Sequence, residues 1–312
     1  MSPRPAAEGH HYRHFLAGPT TGAGDRPLLL AVGNCQAESL RLLLRGEDVR
    51  TVRVPALHDL RPEEVAVLHA WVRASELLVV PPVADDYRGL PLGSDQLVAL
   101  LPPSARVARV PLVRWAGLHP WQLVVHPPGL PDPEPPVVAY HDLRVLAEAA
   151  WARSGRPRPE PVPPSADGLR EVARTSRAEL ARREGRAGTV VVSDLLARPS
   201  GEEMRTVNHP GNRLLEPLAA RVRAALGLAA LGPGVDRPLL TSVVAPLEPA
   251  VVAALQLSAP ARSDWTVDGA AVTTEEVRRT HLGWYAARPD VLDVAVERAR
   301  EPAGLLGVPL PG

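Results

Sequence analysis

The chain has 312 residues, of which 45% are apolar and 4% aromatic, so it has enough Leu, Val and Ala to bury a large core. It carries 35 basic and 35 acidic residues, and this zero net charge gives no electrostatic case for nucleic-acid binding. Every basic residue is arginine, which excludes lysine Schiff-base chemistry. Cys35 is the one cysteine, which excludes an internal disulfide and cysteine-rich zinc sites and favours a reducing compartment.

Residues 1–25 are rich in His, Pro and Gly and predict a flexible N-terminal arm. Its histidines, His10, His11 and His14, have no carboxylate or thiol close by in sequence, so we expect a solvated tail and no metal site. No apolar run is long enough for a signal peptide or a membrane span. The sequence therefore predicts a cytoplasmic protein without membrane insertion.

The next part of the chain alternates short apolar runs with amphipathic segments. Strands are predicted over 28–32, 51–54, 77–80 and 107–113, with helices over 36–44, from Pro62 to Trp71, and over 94–101. This alternation predicts an α/β fold in three layers, with a parallel sheet flanked by helices.

Beyond residue 115 the pattern is less regular. Helices are predicted over 143–152, 169–186 and 212–226, a strand over 189–192, and two or three helices within 240–312. We therefore predict a single α/β domain over 26–312, extended by C-terminal helices from about residue 240.

The segment Gly33-Asn34-Cys35-Gln36 follows the first predicted strand and opens the first helix. Ligands of parallel α/β sheets collect at such turns. A helix N-terminus stabilises a thiolate, so the position predicts a lowered pKa for the Cys35 thiol. Asn34 and Gln36 are candidate donors to an oxyanion. The alternative is a small buried thiol that only fills space.

A second candidate is Asn208-His209-Pro210, which follows the strand predicted over 189–192. Pro210 disfavours a helix before it and suits the start of the next one. His209 is therefore a candidate general base or orienting residue. The alternative is a histidine that caps its own helix.

Two further loops follow predicted strands. Asp85-Asp86-Tyr87-Arg88-Gly89 offers a carboxylate pair for a sugar hydroxyl and, at Arg88, a guanidinium for a phosphate, although an ordinary polar turn has the same composition. The loop from Trp115 to Trp121 is a candidate wall for a base or sugar and contains His119. Tyr140-His141-Asp142 is a weaker candidate.

Taken in order, four motifs resemble the WcbI-type capsular polysaccharide biosynthesis family over roughly residues 27–300. They are Gly-Asn-Cys-Gln at 33–36, Asp-Asp-Tyr-Arg-Gly at 85–89, Pro-Leu-Val-Arg-Trp-Ala-Gly-Leu-His-Pro at 111–120 and Val-Asn-His-Pro at 207–210. The resemblance implies a fold similar to SGNH/GDSL hydrolases and binding of coenzyme A. It also implies acetyl transfer to a capsule or exopolysaccharide sugar.

The resemblance places Cys35 where a GDSL-type enzyme has its serine nucleophile, with Gly33 and Asn34 beside it, and makes His209 the base. The hydrolase pattern has Asp three residues before its catalytic His, whereas this chain has Thr206. The third member of a triad is therefore unidentified, and Asn208 and Asp194 are both open as partners of His209.

The sequence thus predicts a coenzyme A-dependent O-acetyltransferase that acts on a carbohydrate hydroxyl, with Cys35 and His209 as catalytic residues that meet in one cleft. Substrate contacts are assigned to Gly33, Asn34, Gln36, Asp86, Tyr87, His119 and Asn208, and coenzyme A phosphates to Arg88 and Arg114. The acetyl group passes either through a Cys35 thioester or directly to a hydroxyl deprotonated by His209. An esterase or deacetylase, and a non-catalytic coenzyme A- or nucleotide-binding protein, are the alternatives. The pattern fixes neither the acceptor nor the oligomeric state.

Overall fold

The computed structural model describes residues 11–20, 25–127, 129–231 and 234–311. The chain divides into two compact units. The first consists of Met1–Leu112, Ala181–Asp194 and Asn212–Leu239, and the second of Val113–Leu180, Leu195–Gly211 and Leu240–Gly312. The last segment of the second unit begins where the C-terminal extension was predicted.

The described residues form short strands and longer helices. The strands are β1 (Leu28–Ala31), β2 (Arg50–Thr51), β3 (Leu77–Val80), β4 (Arg106–Arg109), β5 (Gln122–Leu123), β6 (His141–Asp142), β7 (Met204–Thr206), β8 (His209–Pro210), β9 (Val243–Val244), β10 (Trp265–Val267) and β11 (Ala270–Val272). The helices are α1 (Arg13–Leu16), α2 (Cys35–Leu44), α3 (Val65–Arg73), α4 (Ser94–Val98), α5 (Leu143–Ser154), α6 (Ala166–Ala187), α7 (Asn212–Ala225), α8 (Pro249–Leu255), α9 (Thr274–Ala287) and α10 (Pro289–Leu305).

The first unit contains a parallel sheet with strand order β2-β1-β3-β4. All residues of β1 and β3 are buried, as their continuous apolar runs predict for strands covered on both faces. The predicted α/β sheet flanked by helices is confirmed. Two strands are shorter than predicted, since β2 ends at Thr51 and β4 ends at Arg109, just before Pro111.

Helices cover both faces of this sheet. On one face, Leu30 and Leu78 pack in a core with Leu68 and Trp71 of α3. On the other, α2 contacts β1, and α7 packs against α2 although nearly 180 residues separate them in the chain. The buried guanidinium of Arg223 in α7 donates to the carbonyl of Leu44 at the end of α2 (3.0 Å). The helix that opens at Cys35 is thus held between the sheet and a late segment of the chain.

The predicted flexible arm is wrong for part of residues 1–25. Residues Arg13–Leu16 form α1, Phe15 is fully buried, and the indole Nε1 of Trp71 donates to the carbonyl of Phe15 (2.8 Å). A single aromatic side chain therefore anchors a segment whose composition suggests solvation. Residues 1–10, which include His10, and residues 21–24 lie outside the described residues.

The strand predicted over 189–192 is also wrong. One backbone hydrogen bond, from Val190 N to Arg109 O (2.8 Å), joins this segment to β4. The buried carboxylate of Glu184 accepts the next donors, the N–H groups of Val192 (2.8 Å) and Ser193 (3.1 Å). A side chain from α6 thus takes donors that a continued strand would have offered to a neighbouring strand.

The second unit combines helices with small antiparallel pairs. Strands β9, β10 and β11 form a three-stranded antiparallel sheet, and β5 pairs with β6 and β7 with β8. The C-terminal region contains the three expected helices, α8, α9 and α10, together with this sheet, which was not predicted. None of the helices within the described ranges combines the length and the apolarity that a bilayer crossing requires.

Candidate functional site

The turn between β1 and α2 has the strand-to-helix geometry predicted for it. Gly33 has a φ of +151°, and a Cβ atom there would lie 3.2 Å from both Ala37 Cβ and Pro81 Cγ. Glycine is therefore required by backbone conformation and by space. Asn34 is the N-cap residue of α2, and its Oδ1 accepts the N–H of Gln36 (3.0 Å). Cys35 is consequently the first residue of the helix.

The thiol of Cys35 does not have the predicted lowered pKa. Burial raises the pKa, and the charge of Asp59 adds to this effect, whereas the backbone N–H groups of Cys35 and Gln36 lower it by less. The side chain is nevertheless partly exposed. The prediction of a thiolate stabilised by the helix N-terminus is wrong because desolvation outweighs the helix end. The group is a protonated thiol near neutral pH.

A small recess lies behind this turn. It measures about 10 Å³, and Gly33, Asn34 and Gln36 contribute to its lining together with Pro81 and Leu112. That volume suits about one oxygen atom or water molecule. Gln36 is buried, and the Oδ1 of Asn34 is engaged in the helix cap. The role of these residues as oxyanion donors stays a prediction.

The loop after β3 carries backbone strain. Asp86 (φ 53°) and Arg88 (φ 58°) both have left-handed conformations, which cost non-glycine residues about 1–3 kcal/mol each. The side chain of Gln96 makes two hydrogen bonds with Asp86. Its Oε1 accepts the backbone N–H of Asp86 (3.1 Å), and its Nε2 donates to the carboxylate of Asp86 (2.8 Å). Tyr87 lies between the two strained residues and is partly buried. This tether fixes Asp86 and leaves Arg88 at the surface.

Arg88 is exposed and has no hydrogen bond or ion pair to any residue within the described ranges. It is therefore available to an anionic ligand in the first unit. Arg114, the other residue assigned to phosphates, lies in the second unit and is also exposed. Their role in binding coenzyme A stays a prediction.

His209 belongs to the second unit and lies in a polar cluster. The Thr206 hydroxyl donates to the Tyr140 hydroxyl (2.8 Å), which donates to Asn208 Oδ1 (2.8 Å). The backbone N–H of His209 donates to Thr206 Oγ1 (3.2 Å). The rings of Tyr140 and His209 are perpendicular with a centroid distance of 6.2 Å, and the ring of Tyr140 also stacks on Trp265. Tyr140 thus connects the amide of Asn208 with the ring of His209.

The imidazole of His209 is held neutral. Burial lowers its pKa, and a hydrogen bond to the backbone of Val243 partly offsets this effect. Its Nδ1 is covered and has no hydrogen-bond partner among the described residues. A neutral imidazole is the form that a general base requires, and a substrate reaches this Nδ1 only if the residues that cover it move.

No carboxylate contributes to the pKa of His209. Asp194, one of the two open partners, belongs to the first unit and pairs with both guanidinium nitrogens of Arg221 (2.7 Å each). The other, Asn208, offers its Oδ1 to Tyr140 and Thr206. Thr206, which stands three residues before His209 where the hydrolase pattern has Asp, is therefore a member of the cluster. It contributes hydrogen bonds of its hydroxyl and no carboxylate.

His119, predicted to contact substrate, is only 3% exposed. Its Nδ1 lies 3.1 Å from the Pro246 carbonyl and its Nε2 lies 3.4 Å from the Met204 carbonyl, and burial lowers its pKa to about 4. Both ring nitrogens thus face backbone oxygens, so this side chain connects loops of the second unit. It is not placed for contact with a substrate.

Sequence reasoning missed Thr206 and Trp265 and ranked Tyr140 low. The spacing of Thr206 from His209 marked it only as a departure from the hydrolase pattern. Trp265 lies in a strand that the sequence did not predict. Cys35 lies in the first unit and His209 in the second, so their joint action stays a prediction. Within the described residues, no group of three or more metal-ligating side chains could hold an ion.

Comparison with known proteins gives one family and one fold. A family model described as polysaccharide biosynthesis enzyme WcbI matches residues 28–231, a range that contains both Cys35 and His209. A solved structure matches with a TM-score of 0.65 and 21% identity over 89% of this chain and 100% of that one. It is described as native WcbI, a novel polysaccharide biosynthesis enzyme, without a disulfide bond between coenzyme A and a cysteine. No curated protein matches the chain.

Proposed function

Because the chain belongs to the WcbI family of polysaccharide biosynthesis enzymes, we propose that it transfers an acyl group from a coenzyme A thioester to a carbohydrate hydroxyl. The position of Cys35 carries this proposal: the one cysteine opens α2 at the carboxyl edge of a parallel sheet, where ligands of this fold class bind. The solved WcbI structure is described by reference to a coenzyme A–cysteine disulfide, which supports a coenzyme A sulfur binding near Cys35.

The first unit supplies groups that suit an acyl donor. Coenzyme A carries phosphate groups, and the chain has only arginine and histidine to pair with them. Arg88 is an exposed guanidinium on a strained loop beyond the carboxyl end of β3, which makes it the first candidate for a phosphate. Arg114, which belongs to the second unit, is the second candidate for a phosphate. Asn34 and Gln36 are the candidates for the thioester oxygen, each worth about 2.7–4 kcal/mol in a well-placed oxyanion site.

The second unit supplies the proton acceptor. In a direct route, His209 takes the proton of the acceptor hydroxyl and the oxygen attacks the acyl carbon. The C–S bond then breaks, and the coenzyme A thiolate leaves and takes the proton from His209. In a thioester route, Sγ of Cys35 first takes the acyl group and releases coenzyme A, and the acceptor oxygen then displaces Sγ. A raised thiol pKa favours the direct route, because the nucleophilic thiolate is scarce near neutral pH.

The test is release of free coenzyme A from acetyl-coenzyme A with and without a panel of oligosaccharide acceptors. We expect release only when an acceptor is present, and we expect Cys35→Ala to retain transfer. Ser39→Ala, a buried change on the same helix, controls for packing. Loss of transfer in Cys35→Ala alone would establish the thioester route. Equal release without an acceptor would replace the transferase by a hydrolase that uses water.

A non-catalytic coenzyme A-binding protein is the second candidate. The raised pKa of the Cys35 thiol favours it, since an inert buried thiol has this property. The same assay separates the two. Thermal stabilisation by coenzyme A without any release in the presence of acceptors would support the binding protein.

A further inference from the structure

The second unit contains a cavity of about 420 Å³, within the size range of small-molecule sites. Four parts of the chain form its walls: Trp115, helix α6, residues 196–199 and the C-terminal end of α8 with Gln256. The side chains that matter for its chemistry are Trp115, Arg170, Arg174, Arg177, Leu196 and Leu255. None of the catalytic or binding residues assigned above lines it.

The three arginines lie on one face of α6. Residues spaced by four and then three positions share a helix face, so Arg170, Arg174 and Arg177 point to the same side over two turns. Arg170 pairs with Asp167 (2.6 Å), one turn before it, and Arg174 pairs with Glu171 (2.8 Å). Both acids lie outside the lining of the cavity.

Arg177 differs from the other two arginines. It is partly buried, and no residue within the described ranges pairs with it through a hydrogen bond or an ion pair. Among the described residues that line the cavity there is no carboxylate, so none of these residues compensates the charge of Arg177. A guanidinium removed in part from water favours an anion, and its planar fork matches a carboxylate in two parallel hydrogen bonds.

The lining also contains apolar side chains. The indole of Trp115 is 1% exposed, and its Nε1 already donates to the Ala173 carbonyl (3.0 Å), so the ring offers the cavity only carbon atoms. Leu196 and Leu255 extend this apolar surface. A ligand that suits this lining combines anionic groups with carbon-bound hydrogens, as an acidic sugar does.

We propose that this cavity binds a carbohydrate that bears carboxylate groups, with Arg177 as its anion-binding residue, and that the acceptor of the enzyme is therefore acidic. The proposal rests on the transferase function proposed above, because that function requires a carbohydrate acceptor. It assigns to the second unit a binding site separate from Arg88 and Cys35 in the first.

Isothermal titration of the full chain with tetragalacturonic acid tests the proposal, with neutral maltotetraose as the matched probe. We expect the acidic tetrasaccharide alone to bind, and its affinity to fall as salt rises. Arg177→Gln should weaken binding about tenfold or more, the usual cost of a lost charged hydrogen bond. Arg186→Gln removes the same charge from an exposed position of α6 outside the cavity and should change nothing.

Any of the following results would overturn the proposal: no binding of tetragalacturonic acid, equal binding of maltotetraose, equal affinity of the two variants, or displacement of the tetrasaccharide by coenzyme A. Displacement by inorganic phosphate at equal concentration would also do so, because it would indicate a general anion site. The calorimetric titration measures binding and requires no catalytic turnover. A failed transfer assay with intact acidic-sugar binding would therefore contradict the transferase function while the cavity assignment stands.

Discussion

The turn at Cys35 and the cluster at His209 are both partly buried, and burial acts on them in opposite directions. It raises the pKa of the thiol and lowers the pKa of the imidazole. Both groups are therefore uncharged near neutral pH. Cysteine nucleophiles need the reverse, a lowered thiol pKa beside a cationic group. The two pKa shifts favour His209 as a proton acceptor over Cys35 as a nucleophile, which is why we favour direct transfer.

Removal of the base should have the largest effect. His209→Gln deletes the proton acceptor, and we expect kcat for acyl transfer to fall about 10²–10⁴-fold, the usual contribution of general base catalysis. His126→Gln, a change at an exposed histidine of the same unit, should leave kcat unchanged. A His209→Gln enzyme within about twofold of the parent would show that the vacant Nδ1 plays no part in transfer.

A smaller effect is expected at His119, the structural histidine of the second unit, which should change the pH dependence of unfolding. The pKa of His119 is about 4 when folded against about 6.5 when unfolded, so below pH 6.5 the unfolded chain binds the additional proton. The free energy of unfolding therefore decreases as the pH is lowered, and His119 alone contributes ~3 kcal/mol of this decrease by pH 4. Urea unfolding between pH 7 and 4 should show a shallower decline in His119→Gln. Parallel curves would mean that His119 titrates normally.

The smallest effect is expected at the hydroxyl network around Asn208. Tyr140→Phe removes one hydroxyl and keeps the stack on Trp265, so we expect a loss of about 1 kcal/mol in unfolding free energy. Thr206→Val removes the hydroxyl that donates to the Tyr140 hydroxyl. A double-mutant cycle should give a coupling of about 0.5 kcal/mol or more. Additive losses would mean that the two hydroxyls act separately and do not position Asn208 together.

The parallel sheet was accessible from sequence because local signals agreed there. Leu77–Val80 is an apolar run of strand length, and Gly33 marks the turn where the chain must reverse. The segment 189–192 contains even more β-branched residues, yet the carboxylate of Glu184 accepts two of the N–H groups at its end. Strand propensity alone does not reveal that a carboxylate of the preceding helix α6 accepts these hydrogen bonds.

The candidate site divides in the same way. Cys35 and His209 were identifiable from motifs, whereas the direction of the thiol pKa depends on packing that no motif contains. The unpredicted pair β10–β11 did have a signal: Asp268-Gly269, both with positive φ, is a common hairpin turn. That signal would have placed Trp265 in a strand, but not against Tyr140.

The packing of α7 on α2 has a consequence for biosynthesis. When a ribosome has released the first 112 residues, all four strands of the parallel sheet and α2 are outside the exit tunnel, but Asn212–Ala225 has not been made. Leu40, Leu43 and Leu44, which are buried in the finished protein, then lack part of their cover. Nascent chains stalled before residue 225 should therefore engage chaperones, and the first unit should mature only late in translation.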